Sequence, residues 1–192
     1  MSWAAVILSG GRGQRLGGAE KASLELGGRT LLDHALDAVA DAAEVVVVGP
    51  RTETSRPVRF TRESPVGSGP LSGLAAGVAA LTPYHDPVVV LAVDMPNVVA
   101  GTVARLLAAA DGVDAAWLTD ADGRRQLAGV VRRALIPEPG AAGGAPMRTL
   151  MNAGIARDVP AVGAEADDVD SWADLARLRG EEPTGDSTPS QT

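Results

Sequence analysis

Residues able to hold a nucleotide phosphate chain gather near the start of the sequence, in LSGGRGQRLGGAEK (8–21). Gly10, Gly11 and Gly13 carry no Cβ, so their amides can turn toward an anion and approach it closely. Arg12, Arg15 and Lys21 supply fixed positive charge where a triphosphate needs neutralising. A carboxylate stands ready to answer them, because Asp94 follows the apolar run VVVLAV (88–93) in the tetrapeptide VDMP. A basic glycine loop facing an acid at a strand end suits phosphates bridged to that acid by Mg2+. The other role open to Asp94 is a helix cap or a turn before Pro96.

The spacing excludes two common phosphate loops. A dinucleotide fingerprint needs G-x-G-x-x-G, and from Gly11 the chain reads GRGQRLG, one residue too long. A P-loop needs Gly-Lys followed by Ser or Thr, whereas Gly18 is followed by Ala19 and Glu20. On glycines alone the segment also reads as an ordinary connection after a first strand. The basic residues spaced through it argue against that.

A second acidic group, Asp167, Asp168 and Asp170, precedes the last helical pattern in DDVDSWADL (167–175). Alternate residues of an extended segment point the same way, so Asp168 and Asp170 can face one side and add a metal ligand, Asp170 being the candidate. Helix capping is the competing role, with Asp170 or Ser171 as N-cap and Asp174 in the first turn. A second Gly/Pro-rich loop, ESPVGSGPLSG (63–73), suits either a base or ribose pocket or a plain crossover. His34 and His85 sit in no catalytic or metal-binding pattern, and no Ser-His-Asp arrangement emerges. Trp117 and Trp172 read as packing residues rather than base-stacking platforms, and the pairs Arg124-Arg125 and Arg132-Arg133 as solvated surface, although one pair could meet an anionic second substrate.

These residues need a scaffold, and apolar runs alternating with helical patterns supply βαβ units. Strands are expected at Trp3 to Leu8, Glu44 to Val48, Val58 to Thr61, Val88 to Val93, Ala115 to Leu118 and Leu127 to Arg132. Helices are expected from Leu31 through Ala42, over Leu71 to Leu81, Thr102 to Ala110, Met147 to Asn152 and Ser171 to Leu178. Asp120 to Gly123 reads as a turn and Pro137 to Gly144 as a flexible loop. VVVLAV, the most apolar run, belongs at the centre of the sheet. In an open parallel sheet, ligands bind beyond the carboxyl ends of the strands, so the loop after Leu8 and Asp94 should share one edge.

Composition sets the outer limits. The 192 residues suit one domain over 1–179, and the polar 180–192 (GEEPTGDSTPSQT) reads as a disordered tail. Ala, Val and Leu must fill the core, since only 3% of residues are aromatic. A net charge of −7 argues against a nucleic-acid or anionic-membrane partner. The absence of cysteine removes thiolate ligands and nucleophiles. With no apolar run of membrane-spanning length and no secretory leader pattern, a cytoplasmic location is expected.

LSGGRGQRLGGAEKASLELGGRTLLDH (8–34) resembles the N-terminal signature L-A-G-G-x-x-x-R-M-G-x-D-K-x-L of the molybdenum cofactor guanylyltransferases. The likeness continues through GPLSGLAAGVAAL, VVVLAVDMP and DVDSWADL, and so covers about Ala4 to Leu178. It implies a three-layer α/β/α fold with a mostly parallel sheet, like the nucleotide-diphospho-sugar transferases. It also implies transfer of GMP from GTP to molybdenum-bound molybdopterin, with release of pyrophosphate. Carried over by position, Leu8, Ser9, Gly10, Gly11 and Glu63 would contact the nucleotide, Arg15 and Lys21 its phosphates, and Asp94 both nucleotide and Mg2+. Transient contacts with molybdenum-cofactor proteins would follow. The chain departs from the pattern at Glu20 and Glu63, where the family has Asp, and it lacks the Asn that often follows the second strand, near Gly49. Two other readings stay open: related chemistry on CTP or on a sugar or alcohol phosphate, and a nucleotide-binding homologue without catalysis.

Overall fold

In the computed structural model, which describes residues 2–10 and 20–180, β1 (Ala4–Leu8) is buried along its whole length at the middle of a sheet. It lies parallel between β4 (Glu44–Val48) and β6 (Val88–Ala92), with Leu8 opposite both Val48 and Ala92. The three strands therefore end in line. Seven strands run in the order β5-β4-β1-β6-β8-β7-β9, with β5 at Arg59–Thr61, β7 at Ala115–Thr119, β8 at Arg125–Val131 and β9 at Ala156–Pro160. As the sequence indicates, the VVVLA strand occupies the centre of this order.

One strand runs backwards. β8 is antiparallel to both β6 and β7, whereas every other pairing in the sheet is parallel. Its reversed course brings the beginning of β8, Arg125 and Gln126, to the edge where β1 and β6 finish, since Leu91 already pairs with Ala128.

Strand alternation divides the apolar side chains between two cores. Ala5, Ile7, Val47, Val89 and Leu91 pack with α1 (Leu31–Ala38), α3 (Ala100–Ala109) and α5 (Trp172–Arg179) through Leu32, Leu36, Leu106 and Leu175. Val6, Leu8, Val46, Val48 and Val90 face α2 (Pro70–Ala80) and the one-turn α4 (Arg148–Met151) through Leu74, Val78 and Leu150. Helices thus cover both faces of the sheet, which gives the expected three layers. No helix among the described residues is long and apolar enough to cross a membrane.

Three features depart from the sequence reading. Helix α1 stops at Ala38, short of Ala42, because the chain must turn there to enter β4, where the Ala43 N–H donates to the Trp3 carbonyl at 3.0 Å. A two-stranded hairpin, β2 (Glu25–Leu26) with β3 (Arg29–Thr30), closes on Gly27 and Gly28 at φ +60° and +77°. Two consecutive glycines suit such a turn, whose central residues need positive φ. The polar strand β9 has no apolar run to reveal it and is held by pairing with β7. In the Pro137–Gly144 loop, Ala142 is buried in the second core and so anchors the segment. The expected tail beyond Gly180 lies outside the described residues.

Candidate functional site

At the strand-end edge, Lys21 is the hub. A single 3-10 turn, Lys21–Ser23, seats its backbone by burying Ala22. Its Nζ donates to Asp94 Oδ2 at 2.7 Å and to Asp170 Oδ1 at 2.5 Å. Burial works against this ammonium, but its bonds to Asp170 and then to Asp94 outweigh burial and raise its pKa above the usual lysine value. Lys21 therefore remains cationic at neutral pH.

Asp94 occupies the turn after β6 and is not a helix cap, because α3 starts at Ala100 with Val99 at its N-cap. The Val93 N–H donates to the Leu8 carbonyl at 3.0 Å, which holds the ends of β1 and β6 level. The Asp94 carbonyl in turn accepts from the Val169 N–H at 2.9 Å. This bond fastens the Asp168–Asp170 segment to the end of β6.

The capping question resolves by division of labour. Ser171 is the N-cap of α5, accepting from the Asp174 N–H at 3.2 Å, while Asp174 accepts from the Ser171 N–H at 2.8 Å. With the cap satisfied by that pair, the Asp170 carboxylate is left to meet Lys21. Asp168 lines the cleft, where burial first, then the negative charges of Asp170 and Asp94, push its carboxyl above the ordinary aspartate value.

These residues border a cleft of about 280 Å³, whose walls include Ser9, Gly10, Lys21, Asp94, Gln126 and Asp168. Leu8 also contributes to it. Ser9 is buried, and its Oγ finds no hydrogen-bond partner among the described residues. A Cβ at Gly49 would lie only 2.8 Å from that oxygen and 3.1 Å from the Ser9 carbonyl carbon, so glycine lets the end of β4 pass close to Ser9. Gly11, Arg12, Gly13 and Arg15 fall outside the described residues.

Glu63 does not line this cleft. Its Oε1 accepts from the Gly67 N–H at 2.9 Å and braces its own loop ahead of α2. The histidines are structural: His34 Nε2 lies 2.9 Å from the Leu26 carbonyl, and His85 pairs with Ser2. Trp117 is fully buried as expected, but Trp172 is 52% exposed, because the first turn of α5 sits outside the core that Leu175 enters. The arginine pairs divide as well. Arg125 binds Asp158 at 2.6 Å, and Arg133 donates to the carbonyls of Thr82 and Val78 beyond and at the end of α2. Only Arg124 of that hairpin pair is largely solvated.

Gln126 is the site residue that sequence patterns do not single out. It opens a strand whose antiparallel direction alone brings it to the cleft.

Among the described residues, no group of three or more His, Asp or Glu forms a ready metal cage. The oxygen donors present, Asp94, Asp168 and Asp170, fit a hard divalent cation that takes one or two carboxylates and completes its shell with substrate phosphates and water.

A family model for the MobA-like NTP transferase domain matches residues 5–159. The chain belongs to that family. Within it, a molybdenum cofactor guanylyltransferase of Acidiphilium cryptum is 41% identical over 114 residues, which cover 55% of this chain and 57% of that relative. The chain spans less than two thirds of the length of the curated relatives it matches, 57%, 56% and 64% in three of them. Among solved structures, molybdopterin-guanine dinucleotide biosynthesis protein A of Archaeoglobus fulgidus superposes with a TM-score of 0.71 at 19% identity, over 92% of this chain and 97% of that one. A Mycobacterium tuberculosis protein in complex with manganese gives a TM-score of 0.72 at 18% identity, over 94% and 99%. The MobA-like match extends over β1 to β9, and the α5 segment that carries Asp168 and Asp170 follows it.

Proposed function

We propose that this MobA-like chain is a Mg2+-dependent nucleotidyltransferase that moves GMP from GTP to molybdenum-bound molybdopterin. The observation that carries the reading is the Lys21 ammonium held by Asp94 and Asp170 at the strand ends, beside the cleft that Ser9 and Gly10 border. Relatives named as molybdenum cofactor guanylyltransferases support the choice of substrates.

Such a transfer needs no strong general base. The acceptor's terminal phosphate is already an anionic nucleophile; its oxygen attacks the α-phosphorus of GTP, and the bond to the pyrophosphate oxygen breaks. The chain's task is positioning and charge neutralisation. The Ser9 Oγ and the Gly10 backbone amide would orient the nucleotide, and Arg15 and Lys21 would meet the growing negative charge on the departing pyrophosphate. Asp94 and Asp170 would hold Mg2+, which supplies charge neutralisation on the phosphates and a template for the in-line arrangement. The manganese bound by the Mycobacterium tuberculosis neighbour supports a divalent ion at this kind of fold. Lys21 can then exchange its carboxylate partners for phosphate oxygens, keeping one cation in reach of the chain of charges throughout.

The test is pyrophosphate release from GTP with molybdenum-loaded molybdopterin and Mg2+, in wild type and in Asp94→Asn. Turnover should fall roughly 100- to 1,000-fold in the variant, in line with the loss of one transition-state contact. Near-normal Mg2+-dependent turnover in Asp94→Asn would overturn the assignment, and preferential use of CTP would redirect it.

A further inference from the structure

We propose that Gln126 recognises the acceptor, presenting a fixed carbonyl oxygen to a ring N–H or amino group on the acceptor's body. The inference rests on the transfer reading above and deepens it.

Gln126 lies in the wall of the cleft, on the β8 side of Asp94. The end of β1, which the proposed function gives to the nucleotide, lies on the other side of β6, next to β4. With the nucleotide at the β1 end, the β8 wall is the part of the cleft left for the acceptor's body.

The orientation of the Gln126 amide is forced by chemistry. Its Nε2 donates to Asp120 Oδ2 at 2.9 Å and to the Arg124 carbonyl at 3.2 Å. Both partners can only accept, so the nitrogen must face them and both of its protons are used. Asp120 is itself fixed: its Oδ1 accepts from the N–H groups of Asp122 at 3.0 Å and Arg124 at 2.9 Å, in the turn that Gly123 completes at φ +76°. The hydrogen-bonding capacity left to the amide is Oε1, which has no donor among the described residues. An immobilised acceptor oxygen beside apolar Leu127, itself in the cleft wall, suits the N–H edge of a flat heterocycle and discriminates against a body lacking such donors. Asp120 is then a positioning residue, acting through Gln126.

Two variants test this, with acceptor KM and kcat followed by pyrophosphate release and GTP affinity by calorimetry. Gln126→Met keeps the side-chain length and removes the oxygen. Acceptor KM should rise about five- to tenfold, as for one hydrogen bond, with kcat and GTP affinity within about twofold of wild type. Asp120→Asn places a donor where Gln126 now finds an acceptor and favours turning the amide over; acceptor KM should rise in the same direction, again without loss of GTP affinity. An unchanged acceptor KM in Gln126→Met overturns the proposal. So does an equal loss of GTP affinity, which would assign Gln126 to the nucleotide. Wild-type protein that binds GTP yet transfers nothing to molybdopterin defeats the transfer reading itself, a result distinct from either.

Discussion

The Val169 N–H donates to the Asp94 carbonyl at 2.9 Å, and this bond joins two parts of the site that are 75 residues apart in sequence. With Val169 fully buried and pinned, its neighbours Asp168 and Asp170 are delivered to the strand-end edge beside Asp94. Asp94 and Asp170 thereby share one ammonium, and their charges reach the Asp168 carboxyl. Like charges in such proximity repel, and the Lys21 ammonium offsets that repulsion.

Replacing Lys21 with Met should therefore have two effects. Transfer from GTP should fall roughly 100- to 1,000-fold, as for loss of one charged contact to the reacting phosphates. The free protein should also lose thermal stability, and Mg2+ should raise its Tm by more than it raises that of wild type, because the uncompensated acids bind the cation more readily. Equal Mg2+ shifts in the two proteins, read by calorimetry, would show that Lys21 does not neutralise these acids.

Glu165, which does not line the cleft, should make stability pH-dependent. The Arg105 guanidinium, bonded at 3.0 and 2.6 Å, holds its carboxyl at a pKa of about 2 against the opposing effect of burial, with help from the Thr102 hydroxyl and the Val162 N–H. The folded-state value lies below the ordinary 4.5, so this stabilisation is fully present above pH 4.5 and is lost as pH falls toward 2. Urea unfolding from pH 7 to pH 3 should show Glu165→Gln less stable by on the order of 2 kcal/mol at neutral pH, with the gap narrowing below pH 4.5.

Gly129 should tolerate no side chain. A Cβ there would press into the Trp117 ring and stand 2.7 Å from the Ala116 carbonyl oxygen, between two strands that pair directly. Gly129→Ala is expected to cost about 1–3 kcal/mol by overpacking, measurable as a lower urea midpoint. A stability equal to wild type would mean that the Trp117 ring moves aside freely.

Much of this molecule is legible in its residues. Unbroken apolar runs such as VVVLA mark strands covered on both faces, and the amphipathic LLDHALDA marks a helix lying on them. Lys21 and Asp94 stand out because a lone charge at the border of an apolar or glycine-rich run must serve something. β9 is silent because its residues, ARDVP, are polar and its strand character comes only from pairing with β7. Trp172 misleads for a related reason: a large apolar side chain announces burial, but the first turn of α5 leaves it half in solvent.

The division between the two kinds of information has a physical basis. Apolar periodicity and the placing of glycines are local properties, and by themselves they determined the α/β class and the shared strand edge that bears Asp94, while the resemblance to a known family implied the three layers. Tertiary structure alone decided that β8 runs antiparallel and so brings Gln126 to the cleft, and that Ser171 and Asp174 cap α5 and leave Asp170 for Lys21. Those outcomes depend on strand order and on hydrogen bonds between distant residues, which no local pattern encodes.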